Sequence, residues 1–311
     1  MSIKKKNTNL LLLTGFSLLI GFSIGFAFQK VPLYLSFDLR HAISSESSVE
    51  RSGEAPKIPS KLTFAGETVP LNKLEVRERL DQELIINTYR HSSTILLLKR
   101  AHQWESVIRK ILKEQNIPED FVYLCMAESN LGQVSSPSNA SGFWQFLKPT
   151  AIQYGLIVNN DIDERFNVEK STYAACQYLK DSYQKLGSWT LAAAGYNMGM
   201  TGISNQATLQ KSNDYYDLYL NSETSRYLFR ILALKVIVQN PQDFNFHLQP
   251  SDLYSPYEYR EIPISISIPS WIDWSLQNSS NYKELKWMNP WIRNTSLSNS
   301  EQDTFYIKLP R

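Results

Sequence analysis

The hydrophobic rhythm of the chain changes along its length, and each change marks a region. Leu10 to Phe28 runs for 19 residues without a charge, behind Lys4, Lys5 and Lys6. At about 1.5 Å per residue such a run nearly spans a hydrocarbon core of ~30 Å. Residues 1–30 therefore read as a signal anchor or a signal peptide, with the basic flank held in the cytoplasm and everything beyond Lys30 exported. Residues 31–72 lose apolar periodicity and gather Ser, Pro, Gly and mixed charges, which predicts a flexible tether. From Lys73 the spacing turns helical: Val76, Leu80, Leu84, Ile85 and Thr88, then Ile95 to Leu97, Ile108, Ile111 and Leu112, with a break near His91 to Ser93.

Punctuation fixes further helices. One opens around Pro118. One spans Lys148 to Tyr154, before Gly155; another runs from Asn167, a capping residue, to Leu186, before Gly187. A helix after Ser188 reaches Asn197 and is apolar on nearly every side, so it belongs inside the bundle. The last runs from Ser222 to Val238, ahead of Asn240-Pro241. Residues 73–243 thus form an all-α domain. In the tail, 244–311, Ile262, Ile264, Ile266 and Ile268 alternate with polar residues and Pro, and Tyr306 to Leu309 closes the chain. Two strands around two short helices, one of them at Tyr282 to Trp291, predict a small β-α-α-β unit.

Composition narrows the chemistry. Of 32 basic residues, Lys4, Lys5, Lys6 and Lys30 sit in the first 30 residues, leaving 28 against 30 acidic residues, which argues against a nucleic-acid partner. Cys125 and Cys176 are too few for a disulfide scaffold. Both fall on helices expected to be buried, so packing is their first reading and a bridge between them the second. Four scattered histidines lack metal-ligand spacing, so neither a metal site nor a cofactor is expected. Nucleophile-elbow, Walker and Rossmann motifs are absent from the sequence.

Glu128 stands out. In the helix that opens at Pro118, Phe121, Leu124 and Cys125 share a face, and Glu128 follows Leu124 by four residues and Cys125 by three. An acid at the edge of an apolar face loses water, which favours its protonated form, the form a general acid needs. Taken from periodicity alone, a solvent-facing or salt-bridged glutamate at a helix end is the commoner reading. A loop of small hydroxyl and amide groups, Ser135 to Gly142, follows and leads into Phe143-Trp144-Gln145-Phe146; such groups suit a sugar, and they also suit an ordinary turn.

These residues resemble a family. Glu128-Ser129, Ser136-Pro137 through Phe146, Pro149-Thr150-Ala151 to Leu156, Asp163 to Asn167, Ser171 to Ala175, Gly195 to Gly199 and Glu223 to Tyr227 are similar to the soluble-lytic-transglycosylase catalytic domain of lytic transglycosylases, closest to the membrane-bound lytic murein transglycosylase D type. Departures are Gly195 where such domains usually carry Ala, Asn139 where they usually carry Gly, and a Pro displaced to Pro149. The tail is similar to the second half of a lysin motif whose Gly-Asp-Thr-Leu opening is missing, and reads as a cap on the catalytic domain ahead of a glycan-binding unit.

The resemblance implies a mainly α, lysozyme-like catalytic domain with a small α+β, degenerate lysin-motif-like C-terminal unit. It implies cleavage of the β-1,4 bond between N-acetylmuramic acid and N-acetylglucosamine in peptidoglycan, leaving 1,6-anhydromuramoyl ends. Glu128 would be the sole acid and base. Ser136 and Gln145 would bind sugar acetamido and hydroxyl groups, Tyr196 and Asn197 would line the cleft, and Tyr227 would close its far wall. Trp144 is expected to pack beneath the loop, and Glu223 to cap its helix. The implied partners are peptidoglycan strands, the membrane through the N-terminal segment, and other cell-wall enzymes; the implied location is the periplasmic side of the inner membrane. Two rival readings are a lysozyme-type muramidase, with Asp163 or Glu164 positioning water, and an inactive wall-binding protein.

Overall fold

A computed structural model describes residues 55–311. The expected leader, residues 1–30, and the first part of the expected tether lie outside the described residues. The tether does not continue to residue 72. A hairpin of β1 (Thr63–Phe64) and β2 (Glu67–Thr68) folds onto the helices and buries Leu62, Phe64 and Val69. Its two-residue turn places Ala65 and Gly66 at positive φ, the geometry that matches the twist of paired strands.

α1 (Leu74–Tyr89) and α2 (His91–Glu114) follow, broken at Arg90 where the pattern predicts a break. α1 lies along α8 (Ser222–Gln239), burying Val76, Leu80 and Leu84, and its buried Glu83 meets Arg226 of α8 at 2.7 Å. Between them come α3 (Phe121–Ser129), α4 (Lys148–Gln153), α5 (Val168–Leu186), α6 (Trp189–Met198) and α7 (Met200–Gln210). The sequence punctuation is used as expected: the side chains of Asn167 and Ser188 cap α5 and α6, and Gly187 ends α5 in the left-handed region. α7 is an addition to the expected helices. It buries only Ile203 and Ala207, too little apolar surface to leave a periodic trace.

One core joins the hairpin to α1–α8. A second belongs to the tail, where β3 (Tyr259–Ile264), α9 (Trp271–Gln277), α10 (Tyr282–Met288) and β4 (Phe305–Pro310) form the expected β-α-α-β unit. β3 and β4 pair antiparallel with Ile262 opposite Ile307; Phe305, Ile307 and Leu309 face inward while Tyr306 faces water. Ile268 is buried beyond the end of β3 and Ile266 is exposed, so the isoleucine alternation outlasts the strand.

The second core is completed by two residues of the α4–α5 loop, Ile162 and Phe166. Backbone bonds seal the contact: Asp163 donates to Trp291 at 2.8 Å and Arg293 to Asp161 at 2.7 Å. Asp161 also accepts from Asn294 and from the Ser298 amide, and Lys308 pairs with Glu169. Among the described residues no helix is long and apolar enough to cross a membrane.

Candidate active site

α3 is short and almost wholly buried, and its last turn carries Glu128. Asn130 ends it in the left-handed region at φ 54°, and Leu131 follows at φ 50°. Asn tolerates this conformation; Leu seldom does, so two such residues in succession mark strain beside the acid. The exit is pinned on both sides, by Arg100 donating to the Asn130 carbonyl at 3.1 Å and by the Asn130 amide donating to Ser93 at 3.1 Å.

The Glu128 carboxyl accepts a hydrogen bond from the Tyr227 hydroxyl, brought across from α8. The tyrosine is buried, whereas Glu128 keeps part of its surface open to solvent. Loss of water raises the Glu128 pKa to about 7; the Tyr227 bond and the positive Arg230 oppose the rise, and Glu223 adds to it. At neutral pH the group therefore exists in comparable amounts as acid and carboxylate, poised to give a proton and to take one back. Burial and the neighbouring Glu128 push the Tyr227 hydroxyl well above its ordinary range, so it remains a donor.

Residues 135–146 form a narrow loop beside α3, closed by bridges from Ser141 to Ser135 and to Phe146. Ser136 sits at its turn, where its hydroxyl lies 2.9 Å from that of Ser138 and accepts from the Ala140 amide at 3.1 Å. Gln145, at φ 50°, folds back and donates to Gly142 at 2.8 Å and Val134 at 3.1 Å. Its side-chain nitrogen braces the loop. Trp144 is fully buried and donates to Thr172 at 2.9 Å, the packing role expected of it.

Tyr196 and Asn197 project from the end of α6. The Tyr196 hydroxyl donates to the Trp144 carbonyl at 2.8 Å, and Asn197 accepts from Thr224 of α8 at 2.8 Å. Electrostatically Tyr196 also senses Glu128: burial first and that carboxyl next raise its pKa well above the ordinary value. The expected site residues thus divide into Tyr227 on the acid itself, Tyr196 within its electrostatic reach, Asn197 held by Thr224, and Ser136 and Gln145 on the loop.

Sequence reasoning missed two supports. Thr224 is buried and orients Asn197; its signal was a hydroxyl in a helix's first turn within the Glu223–Tyr227 motif. Arg165 is the larger omission. Buried in the α4–α5 loop, it pairs with Asp163 at 2.7 Å and donates to Asn139 at 2.8 Å and Phe146 at 3.1 Å, so it clamps the Ser136–Gln145 loop at its turn and at its exit. A Cβ on Gly142 would stand 1.8 Å from the Arg165 carbonyl oxygen, so the clamp closes only on glycine.

Glu223 does not cap α8. The side chain of Asn221 does so, accepting from Thr224, while Glu223 lies exposed in the first turn with Arg230 at 3.4 Å. Cys125 and Cys176 are both free and buried. Among the described residues no group of His, Cys, Asp and Glu could hold a metal ion.

The family model for the transglycosylase SLT domain matches residues 106–219, which hold Glu128, the Ser136–Gln145 loop, Arg165 and the Tyr196-Asn197 pair. The chain carries a lytic transglycosylase SLT domain. A second model, the soluble lytic transglycosylase C-terminal LysM-like domain, matches residues 260–311. Membrane-bound lytic murein transglycosylase D of Escherichia coli K12 is 31% identical over 183 residues, covering 57% of this chain and 40% of that protein. The same protein of Escherichia coli O6:H1 strain CFT073 matches with the same figures. The chain thus spans about 40% of the length of the curated relatives it matches. Tyr227 lies beyond the SLT match in sequence yet touches Glu128 within it, so α8 packs onto the matched region at that carboxyl.

Proposed function

We propose that this protein is a peptidoglycan lytic transglycosylase that uses Glu128 as its single acid and base. The observation that carries the reading is the Glu128 carboxyl: bonded to a neutral phenol, sheltered by an apolar helix and raised to about pKa 7 inside an SLT domain. In the first step Glu128 gives its proton to the glycosidic oxygen between N-acetylmuramic acid and N-acetylglucosamine, and the bond from that oxygen to the anomeric carbon breaks. The substrate's own acetamido group assists at the anomeric carbon. In the second step the Glu128 carboxylate takes the proton of the 6-hydroxyl, whose oxygen bonds the anomeric carbon and closes the 1,6-anhydro ring. No water is consumed, because an intramolecular hydroxyl has a high effective concentration. Ser136, Gln145, Tyr196 and Asn197 hold the sugars, and Tyr227 aims the carboxyl.

The muramidase alternative needs a second carboxylate free to direct water. Asp163 is tied to Arg165, and Glu164 accepts from Lys170 and from the Ile157 amide, which leaves neither free. The expected place of work is the periplasmic face of the inner membrane, reached through residues 1–30. The deciding experiment is digestion of purified sacculi by the native chain and by Glu128→Gln, with mass spectrometry of the soluble products. Anhydro ends from the native chain and none from the variant are expected; reducing muramic ends, or an active variant, would overturn the proposal.

A further inference from the structure

A cavity of about 1080 Å³ lies apart from Glu128, which does not line it. It lies between the SLT domain and the C-terminal unit, floored by Leu131–Gln133, which follow directly on α3, and walled by α2 on one side and the end of α10 on the other. Ligand sites favour such inter-domain crevices, with aromatic walls and a few polar groups. A relay of rings crosses this one: Trp104 of α2 meets Tyr257 at 5.8 Å, and Tyr257 meets Trp287 of α10 at 6.4 Å. Trp287 is 62% exposed, an unusual placing for the largest apolar side chain unless something covers it.

Charge in the crevice is one-sided. Its acid, Glu169, is taken by Lys308. Its other cations, Arg100 and Lys286, donate only to the carbonyls of Asn130 and Ile292, and among the described residues no carboxylate pairs with either. Unneutralised cations beside exposed rings call for a ligand with carboxylates and a flat, weakly polar face.

We propose that this crevice is a second binding site, for a peptide-bearing segment of the glycan strand, with sugar rings against Trp287 and Tyr257 and stem-peptide carboxylates against Lys286 and Arg100. The assignment deepens the function proposed above and rests on it for the identity of the ligand. A strand held there lies beside the chain segment that leaves the acid, so the site secures substrate independently of the bond being cut.

The test uses the full chain carrying Glu128→Gln and a soluble disaccharide-tetrapeptide, titrated by calorimetry. Two sites are expected. Trp287→Ala and Lys286→Gln should each weaken one of them about fivefold or more and leave the other unchanged. The peptide-free disaccharide should show the second site weakened to the same degree. In the Glu128-containing chain, Trp287→Ala should slow solubilisation of sacculi while leaving cleavage of a short peptide-free oligosaccharide unchanged. A single site indifferent to both substitutions, or equal affinity for the peptide-free disaccharide, would overturn the assignment. A native chain that cuts nothing but keeps Trp287-dependent binding would overturn the proposed catalysis and leave the crevice standing.

Discussion

Two regions of the SLT domain bury carboxyl groups, and they do so in opposite ways. At the end of α3, Glu128 meets a phenol, and among the described residues no cation pairs with it. Along the α4–α5 loop, Asp163 and Glu164 are buried more deeply still, yet each has its own cation, Arg165 and Lys170, together with a backbone amide. A buried charge without a partner is costly, so the first arrangement lifts the pKa and makes a proton available. The second keeps its charges compensated and spends them on shape, holding the loop that carries Ser136 and Gln145. Burial of an acid is therefore no sign of catalysis by itself; the partner decides.

The contrast can be broken at its strongest point. Glu128→Gln removes the transferable proton and keeps the bond to Tyr227, so release of muropeptides should fall by about 10³-fold or more while the fold persists. Arg165→Met strips the cation from Asp163 and should cost about 3–5 kcal/mol in a denaturant melt, because a buried carboxylate is left unpaired. Gly142→Ala forces a Cβ against the Arg165 carbonyl at positive φ. A loss of about 1–3 kcal/mol, with weaker substrate binding as the loop shifts, is the expected result of melts and initial-rate kinetics run side by side.

A pH series sharpens the same comparison. Glu128 is raised from 4.5 to about 7, so the folded chain holds this proton more tightly than the unfolded one. The associated stability is present below pH 4.5 and is lost as pH rises through 7. Glu128→Gln should then be the more stable protein at pH 8, by about 1–3 kcal/mol in paired melts, with the advantage vanishing in mild acid. Native activity should fall on the alkaline side of pH 7, as the acid form disappears. Tyr227→Phe removes a bond that favours the carboxylate, so the alkaline limb of the sacculus-solubilisation profile should move to higher pH, the smallest of these effects.

Much of this was legible in the sequence where a local rule governs. Asn167, Ser188 and Gly187 announce helix ends because capping is a short-range matter, and the β-α-α-β tail shows in the alternation around Ile264 and Ile307. Glu128 was legible as an acid on an apolar face, but the partner that holds its carboxyl, Tyr227, lies 99 residues away and only the family resemblance singled it out. Distance along the chain hides the rest. Lys235 meets Asp120 and the Thr63 carbonyl, at 2.8 Å each, across 115 and 172 residues, and this is what ties down a hairpin too short to leave a strand pattern. Arg165 stood in a matched motif, yet its grip on Asn139 and Phe146 needs the folded loop.

Ile162 and Phe166 also bear on how the protein can be taken apart. They belong to the chain between α4 and α5, yet the greasy pocket that shelters them is supplied by the last fifty or so residues. Cutting between α8 and β3 would leave both side chains wet, next to the arginine clamp, and invite clumping. A soluble minimal enzyme would need polar replacements at these positions, or would have to keep its tail.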